Sequence, residues 1–315
     1  MEKLAFVPGE AGFLGRHISR RIPTTKQRHG DYTVFANAIN AMSDSRSDTV
    51  INCAGKVGGI GANDSNPGDF FYKNLMIGAN LLEAARQIGV KRYVQIGSVC
   101  SYPKECPLPM KEADFWNGKP EETNGPYGEA KRALVVQGQA YSKQYGMNIV
   151  SPILANLYGP GDHYEDSRSH VIPAMINKFH AAVESGERCV TLWGSGLCTR
   201  EFLYVEDAAD AIKFLFDKYD SPEVINVATG QEIRIRDLAE LVASACGYHG
   251  DIVWDVTKPD GQPRRLFDNS KLSKLGWVAK YDLEDGITQC VADYIANRNT
   301  RSESKEKSLL AIIGT

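Results

Sequence analysis

The feature that most constrains this 315-residue chain is a glycine-spaced turn set between an apolar run and a helical pattern. Lys3–Val7 is short and apolar, Gly9-Glu10-Ala11-Gly12-Phe13-Leu14-Gly15 follows at once, and helical spacing continues from Phe13 to about Ile22. Strand, glycine turn and helix in that order let the backbone approach a diphosphate, whose charge then lies at the helix N-terminus. Gly9, Gly12, Phe13, Leu14 and Gly15 are therefore candidate contacts to a dinucleotide. Twenty-nine glycines make chance matches common, so the weight comes from the placement between strand and helix.

The remainder repeats the alternation. Thr49–Cys53 and Lys91–Ile96 read as buried strands. Leu75–Gln87 carries helical spacing through Leu75, Ala79, Leu82 and Ala85 and ends near Gly89, and a helix over Tyr127–Tyr145 precedes a strand over Asn148–Leu154. Strands apolar at every position need both faces covered. The pattern predicts an α/β fold, a Rossmann-like doubly wound parallel sheet with right-handed crossovers. After Tyr158-Gly159-Pro160-Gly161 the rhythm loosens into helix Val171–Ser185, strand Val190–Leu192, helix Val205–Tyr219, strand Val224–Asn226 and helix Ile235–Ala245. The expected division is a dinucleotide-binding domain over 1–160, with 203–227 returning to it. A smaller, mainly C-terminal substrate-binding lobe would occupy 161–202 and 228–296, and a polar, mobile tail 297–315.

A net charge of −3 without a basic run argues against nucleic acid or anionic membranes as partners, so any cationic site must be local. No apolar run is long enough to span a bilayer, and Met1-Glu2-Lys3 leads into a strand rather than a signal peptide. Seven cysteines without a Cys-x-x-Cys pair or a metal-like spacing predict no metal site, free thiols and a cytoplasmic location.

An acidic residue about 20 positions past the glycine turn would mark the ribose hydroxyls of NAD. Here that stretch, Arg20 to His29, is short and basic, with Arg20, Arg21, Thr24, Thr25, Lys26 and Arg28. A 2′-phosphate site and a plain solvated loop fit it almost equally, so NADP is expected with NAD as the alternative. Glu10 must turn its carboxylate away from the diphosphate.

Tyr127-Gly-Glu-Ala-Lys131 places a phenol and an ammonium on one helical face. The ammonium favours phenolate, which suits proton exchange near neutral pH. Ser98 follows the strand Lys91–Ile96 at the carboxyl end of the sheet, where it could share a substrate oxygen with Tyr127. Alone, a Tyr/Lys pair of this spacing is an ordinary exposed helix pair. Its distance downstream of the glycine turn makes it a hydride-transfer site.

Taken together, the chain resembles the extended short-chain dehydrogenase/reductases over nearly its whole length, and within them the GDP-L-fucose synthases. The resemblance rests on Lys56-Val57-Gly58-Gly59-Ile60, Gly97-Ser98-Val99-Cys100-Ser101-Tyr102-Pro103, Tyr127 to Lys131 and Asn156-Leu157-Tyr158-Gly159-Pro160. It continues in Ser169-His170-Val171-Ile172-Pro173-Ala174, Trp193-Gly194-Ser195-Gly196, Arg200-Glu201-Phe202-Leu203 and Lys258-Pro259-Asp260-Gly261.

By residue type, Cys100 reads as core filler and His170 as a polar helix-end residue. The resemblance gives them another role, because both fall where that family keeps its epimerising pair. It implies that Cys100 removes the proton at C3 and later C5 of a 4-keto sugar and His170 returns one on the opposite face. Hydride from NADPH would then reduce the C4 ketone while Tyr127 supplies the proton. Implied cofactor contacts are Ile96, Gly97, Lys131, Asn156, Leu157 and His170. Implied substrate contacts are Lys178, Trp193, Arg200, Asp260 and Arg265 (or Arg264), with Lys178 standing where an arginine is common. The substrate implied is GDP-4-keto-6-deoxy-D-mannose, the product GDP-L-fucose and the assembly a homodimer through paired helices.

Two rivals remain at this stage. One is an epimerase or reductase of another 4-keto nucleotide sugar on the same fold. The other is a non-catalytic dinucleotide sensor, disfavoured because a sensor has no need of Ser98, Tyr127 and Lys131. A 4,6-dehydratase fits poorly, since no acidic pair follows Ser98.

Overall fold

The computed structural model describes residues 4–25, 30–164, 169–258 and 260–313, with side chains through residue 298. Neighbouring residues of each central strand point to opposite faces, and both are apolar. Ala5, Val7, Ile51, Val94 and Val150 enter one core cluster, while Phe6, Val50, Tyr93 and Ile149 enter another. A strand with no polar face cannot leave either side in water, so helices must cover both.

Thr49–Asn52 pairs with Arg92–Gln95, which pairs with Asn148–Leu154, and Val224–Val227 flanks the far side of Asn148–Leu154. Every pairing is parallel, as the sequence predicts. The first apolar run is shorter than expected: it is reduced to single bridges from Ala5 to Thr24 and from Phe6 to Val50. Ile96 interrupts the next strand, and its continuation, Gly97–Ser98, pairs with the same Asn148–Leu154.

One core cluster gathers Ala38 and Met42 of the helix Phe35–Ser45 with Leu81 and Leu82 of the helix Pro67–Ile88. The other gathers Ile18 of the helix Phe13–Ser19 with Ile212 and Leu215 of the helix Val205–Lys218. Two of these helices depart from the sequence reading. Phe35–Ser45 is unheralded, and Pro67–Ile88 begins upstream of the predicted Leu75. Its first turns bury Asn74, which donates to the carbonyls of Phe70 and Lys56, and that polar residue masks the period.

A third cluster builds the smaller lobe. Met175, Ile176 and Phe179 of the helix Val171–Ser185 pack with Leu238 and Val242 of the helix Ile235–Ala245 and with Ile287 and Val291 of the helix Leu283–Ile313. Cys189–Trp193 runs parallel to Asp251–Asp255. Asn156–Tyr158 and Glu232–Arg234 flank Thr199–Tyr204 on its two edges. The mobile tail expected over 297–315 falls almost entirely on side chains outside the described set; its backbone continues the last helix to Ile313.

Arg132, on the helix Gly125–Tyr145, is buried and ties that helix to an irregular segment. Its Nε donates to the Ser101 carbonyl at 2.6 Å, Nη1 to that of Gly118 at 2.7 Å and Nη2 to that of Phe115 at 2.7 Å. Three carbonyls in a planar fork, those of Ser101 and Phe115 buried, match a guanidinium and not an ammonium. Arg132→Met is expected to cost about 3 kcal/mol, because it leaves those acceptors unpaired. Arg132→Lys should recover less than half. Denaturant unfolding measures both, and amide exchange over residues 101–118 should rise in parallel.

Candidate active site

The glycine turn is closed by its own backbone. Gly9 lies at φ +85°, and a Cβ there would stand 2.8 Å from the Ala54 nitrogen; one on Gly15 would collide with the Gly9 carbonyl. At Gly12 an added Cβ would meet only that carbonyl, at 3.1 Å, so the space over the helix start is open. Gly12 is also the N-cap and brings no side chain to the first N–H groups. This is a cradle that fits a diphosphate. Glu10 lies toward Tyr32, whose phenol is pushed up first by burial and then by that carboxylate.

Of the basic stretch, Lys26, Gln27, Arg28 and His29 lie outside the described residues. Arg21 is already engaged with Glu206, which also holds Nδ1 of the buried His17 at 2.6 Å. The other ring nitrogen of His17 meets the Pro160 carbonyl at 3.0 Å. Arg21 thus serves the frame rather than a ligand phosphate.

Ser98, Cys100 and Tyr127 are brought together. Ser98 caps a 3₁₀ turn over Val99–Ser101, its Oγ accepting from the Cys100 N–H at 3.2 Å. The helix Gly125–Tyr145 presses onto this turn through Gly128, where any Cβ would collide with the Cys100 carbonyl. Burial drives the Tyr127 phenol above its ordinary range, the Cys100 sulfur adds to the rise, and a hydrogen bond with Ser98 opposes it. The sequence suggested phenolate favoured by Lys131, but here burial outweighs the ammonium. Lys131 Nζ instead donates to the Ile96 carbonyl at 3.1 Å and lies 5.9 Å from the Tyr127 ring centre. Its own value is lowered by burial to about 8, with Cys53 opposing. The site therefore holds a neutral phenol, a proton donor, beside a costly buried ammonium.

His170 is the N-cap of the helix Val171–Ser185. It is 44% exposed, with Nδ1 4.0 Å from Oδ1 of Asp162. Lys178 Nζ donates to the Thr191 carbonyl, one residue removed from the strand end at Trp193, which is 67% exposed and faces Lys258 at 5.6 Å. Arg200 reaches the Asp260 carbonyl at 3.5 Å, while the Asp260 carboxylate accepts from the N–H and hydroxyl of Ser195. Arg265 lies near enough to Arg200 to depress its guanidinium, after burial. Arg264 is committed to both oxygens of Glu232. Arg265, the other arginine left open by sequence, donates to Gln262 Oε1 at 2.6 Å and has no carboxylate partner among the described residues.

Asn156 Nδ2 donates to the Glu201 carbonyl at 2.9 Å, and Gly97 packs flat against the backbone of Pro152 and Ile153. Sequence reasoning quoted Glu201 only as part of a motif. It proves to be a buried hub, accepting from the N–H groups of Gly230 and Phe267 and the hydroxyl of Thr229. Its place beside Arg200 was the available signal. Neither Arg132 nor Asp162 had one.

Residues 5–228 match the model of the NAD dependent epimerase/dehydratase family. GDP-L-fucose synthase 1 of Arabidopsis thaliana is 42% identical, with 93% of each chain covered. GDP-L-colitose synthase of Yersinia pseudotuberculosis is 37% identical over 92% of this chain and 97% of its own. The crystal structure of a GDP-L-fucose synthetase from Naegleria fowleri bound to NADP superposes with a TM-score of 0.86 at 27% identity, covering 95% and 94% of the two chains. Glycine cradle, Ser/Tyr/Lys cluster and parallel sheet all lie within the matched span, and the chain belongs to the NAD dependent epimerase/dehydratase family.

Proposed function

We propose that this chain is an NADPH-dependent epimerase and reductase that converts GDP-4-keto-6-deoxy-D-mannose to GDP-L-fucose, inverting C3 and C5 and then reducing C4. The observation that carries the reading is the turn Ser98–Ser101. It sets a thiol two residues from a hydroxyl and against a half-buried phenol that desolvation holds neutral, so a base and an acid share one substrate carbonyl.

Gly9, Gly12, Phe13, Leu14 and Gly15 would hold the diphosphate of the cofactor, with Ile96, Gly97, Asn156 and Leu157 beside the nicotinamide half and Lys131 on its ribose. When bound, the cofactor supplies a hydride to C4. Ser98 and Tyr127 hold the C4 oxygen, so negative charge arising there as a neighbouring proton leaves is met by two donors. Cys100 as thiolate takes the proton at C3, and later C5. His170 delivers one to the opposite face. In the last step Tyr127 gives its proton to the C4 oxygen. Lys178, Trp193, Arg200, Asp260 and Arg265 grip the GDP-sugar, with Arg265 and Arg200 as the cations for its diphosphate.

Phe71, Tyr72 and Ile88 on one helix and Val136 and Tyr145 on its neighbour are exposed apolar residues, which supports a homodimer through paired helices. Seven free thiols suit a reducing, cytoplasmic setting. The 37% identity to a GDP-L-colitose synthase supports a second reading, a different 4-keto GDP-sugar handled by the same residues.

The direct test is NADPH oxidation with a panel of 4-keto nucleotide sugars, product stereochemistry being read by NMR. Turnover of GDP-4-keto-6-deoxy-D-mannose to GDP-L-fucose is expected; consumption of neither nicotinamide cofactor would defeat the reductase. Cys100→Ser should lower deuterium uptake from solvent at C3 and C5 by about 100-fold or more. Uptake at the wild-type rate would return Cys100 to the core. Tyr127→Phe should keep uptake and lose reduction by ~10²–10⁴-fold.

Lys131 is held against its own desolvation. Its folded value lies below the unfolded 10.5, so in ligand-free protein the wild type sheds a proton on folding between about pH 8 and 10.5. Below that window the desolvation cost is complete. Lys131→Met should therefore be inactive yet more stable at pH 7 by about 1–3 kcal/mol, with the gap closing as pH rises to 10.5. Urea midpoints across pH measure it.

A further inference from the structure

The segment Pro160–Tyr164 is held unusually firmly for an irregular stretch. The Pro160 carbonyl meets His17, the Gly161 N–H donates to Asp293 at 2.8 Å, and the Tyr164 hydroxyl donates to the Cys290 carbonyl at 3.0 Å. Asp162 lies in the middle, with its side chain 3% exposed. One oxygen, Oδ1, accepts the His163 N–H at 2.7 Å. The other, Oδ2, is buried and has no hydrogen-bond partner among the described residues. A buried acceptor without a donor is unfavourable until a donor reaches it. The exposed imidazole of His170 stands next to this carboxylate, with Nδ1 4.0 Å from Oδ1. That gap is about 1 Å longer than a hydrogen bond, a common state for catalytic pairs before substrate binds.

The geometry points to Asp162 as the positioning residue for His170: its carboxylate accepts a hydrogen bond from Nδ1–H of the imidazole and so turns Nε2 toward the sugar. The inference rests on the proposed role of His170 as the proton donor of the epimerisation. Asp162 is buried and held at Oδ1 by the His163 N–H, whereas His170 is exposed, so it is the ring that turns to meet the carboxylate. In the donating state the ring carries both protons. Nε2 gives its proton to the sugar carbon, Nδ1–H stays on Asp162, and the neutral ring regains a proton from water. The carboxylate stabilises the doubly protonated ring and fixes which nitrogen is left to act.

A double-mutant cycle on the full-length enzyme tests this. Solvent deuterium uptake at C3 and C5 of the 4-keto GDP-sugar reads epimerisation. Single-turnover oxidation of GDP-L-fucose by NADP⁺ reads hydride transfer without epimerisation. Asp162→Asn keeps the shape and is expected to slow uptake by about 10–100-fold, leaving hydride transfer within about twofold. Placed in a His170→Gln background it should add less than about twofold, because it acts through the ring. Asp162→Glu should recover part of the rate. Uptake at the wild-type rate in Asp162→Asn, with His170→Gln impaired, overturns the pairing alone. So does an equal effect of Asp162→Asn with and without His170, or an equal loss of uptake and hydride transfer. Unimpaired uptake in His170→Gln removes the proposed role of His170, and the pairing with it.

Discussion

The site depends on how closely one helix can approach one turn. Gly128 sits against the Cys100 carbonyl where no Cβ fits, and that contact sets the depth of the whole helix Gly125–Tyr145. Residues four apart share a helical face, which gives two adjacent stripes. Gly128 and Arg132 form the first: one permits the approach, and the other clamps it through the carbonyls of Ser101, Phe115 and Gly118. Tyr127 and Lys131 form the second and are thereby delivered to Ser98 and to Ile96. The structural stripe fixes the position; the chemical stripe inherits it.

Close approach has an electrostatic consequence. It buries the phenol and the ammonium together, and desolvation pushes each toward its neutral form. For Tyr127 that is useful, since a neutral phenol can donate to a developing alkoxide. For Lys131 it is a standing cost, which the proposed task of the ammonium on the cofactor ribose would account for. The smaller lobe treats its charges differently. On the strand Thr199–Tyr204, Glu201 turns inward to three hydrogen-bond donors, while the adjacent Arg200 turns to the opposite face and toward Asp260. One residue anchors the segment and its neighbour is the one proposed to meet the ligand.

Strands and helices carried by side-chain pattern were legible in the sequence. Asn148–Leu154, Val171–Ser185 and Ile235–Ala245 occupy the expected spans, since each buries an unbroken apolar set. Phe35–Ser45 was not legible: it fully buries only small residues and a single Met, its larger apolar residues Phe35 and Ile39 are partly buried, and it begins without a capping side chain. The glycine turn and the Ser/Tyr/Lys set were legible because their chemistry demands fixed residue types at fixed spacing. Arg132, Glu201 and Asp162 were not, because their partners are mainly backbone groups brought near by the fold, and a backbone carbonyl leaves no mark in a sequence. For the same reason Arg264 and Arg265 could not be told apart until Glu232 was seen to hold the first.

His17 ties the helix that leaves the glycine cradle to the segment that begins at Pro160. It lies on the helix that starts at the glycine cradle, and its ring is fixed between Glu206, at the start of the helix Val205–Lys218, and the Pro160 carbonyl. The helix Phe13–Ser19 is only seven residues, on the order of 10 Å long at 1.5 Å per residue. The distance from the diphosphate cradle to the segment that carries Asp162 is therefore spanned by one short helix and one buried ring. Neither can bend appreciably: the helix is too short, and the ring is closed in on both nitrogens. The proposed proton relay at His170 would have to meet a sugar carbon beside a bound dinucleotide, and the His17 junction would refer both ligands to a common frame.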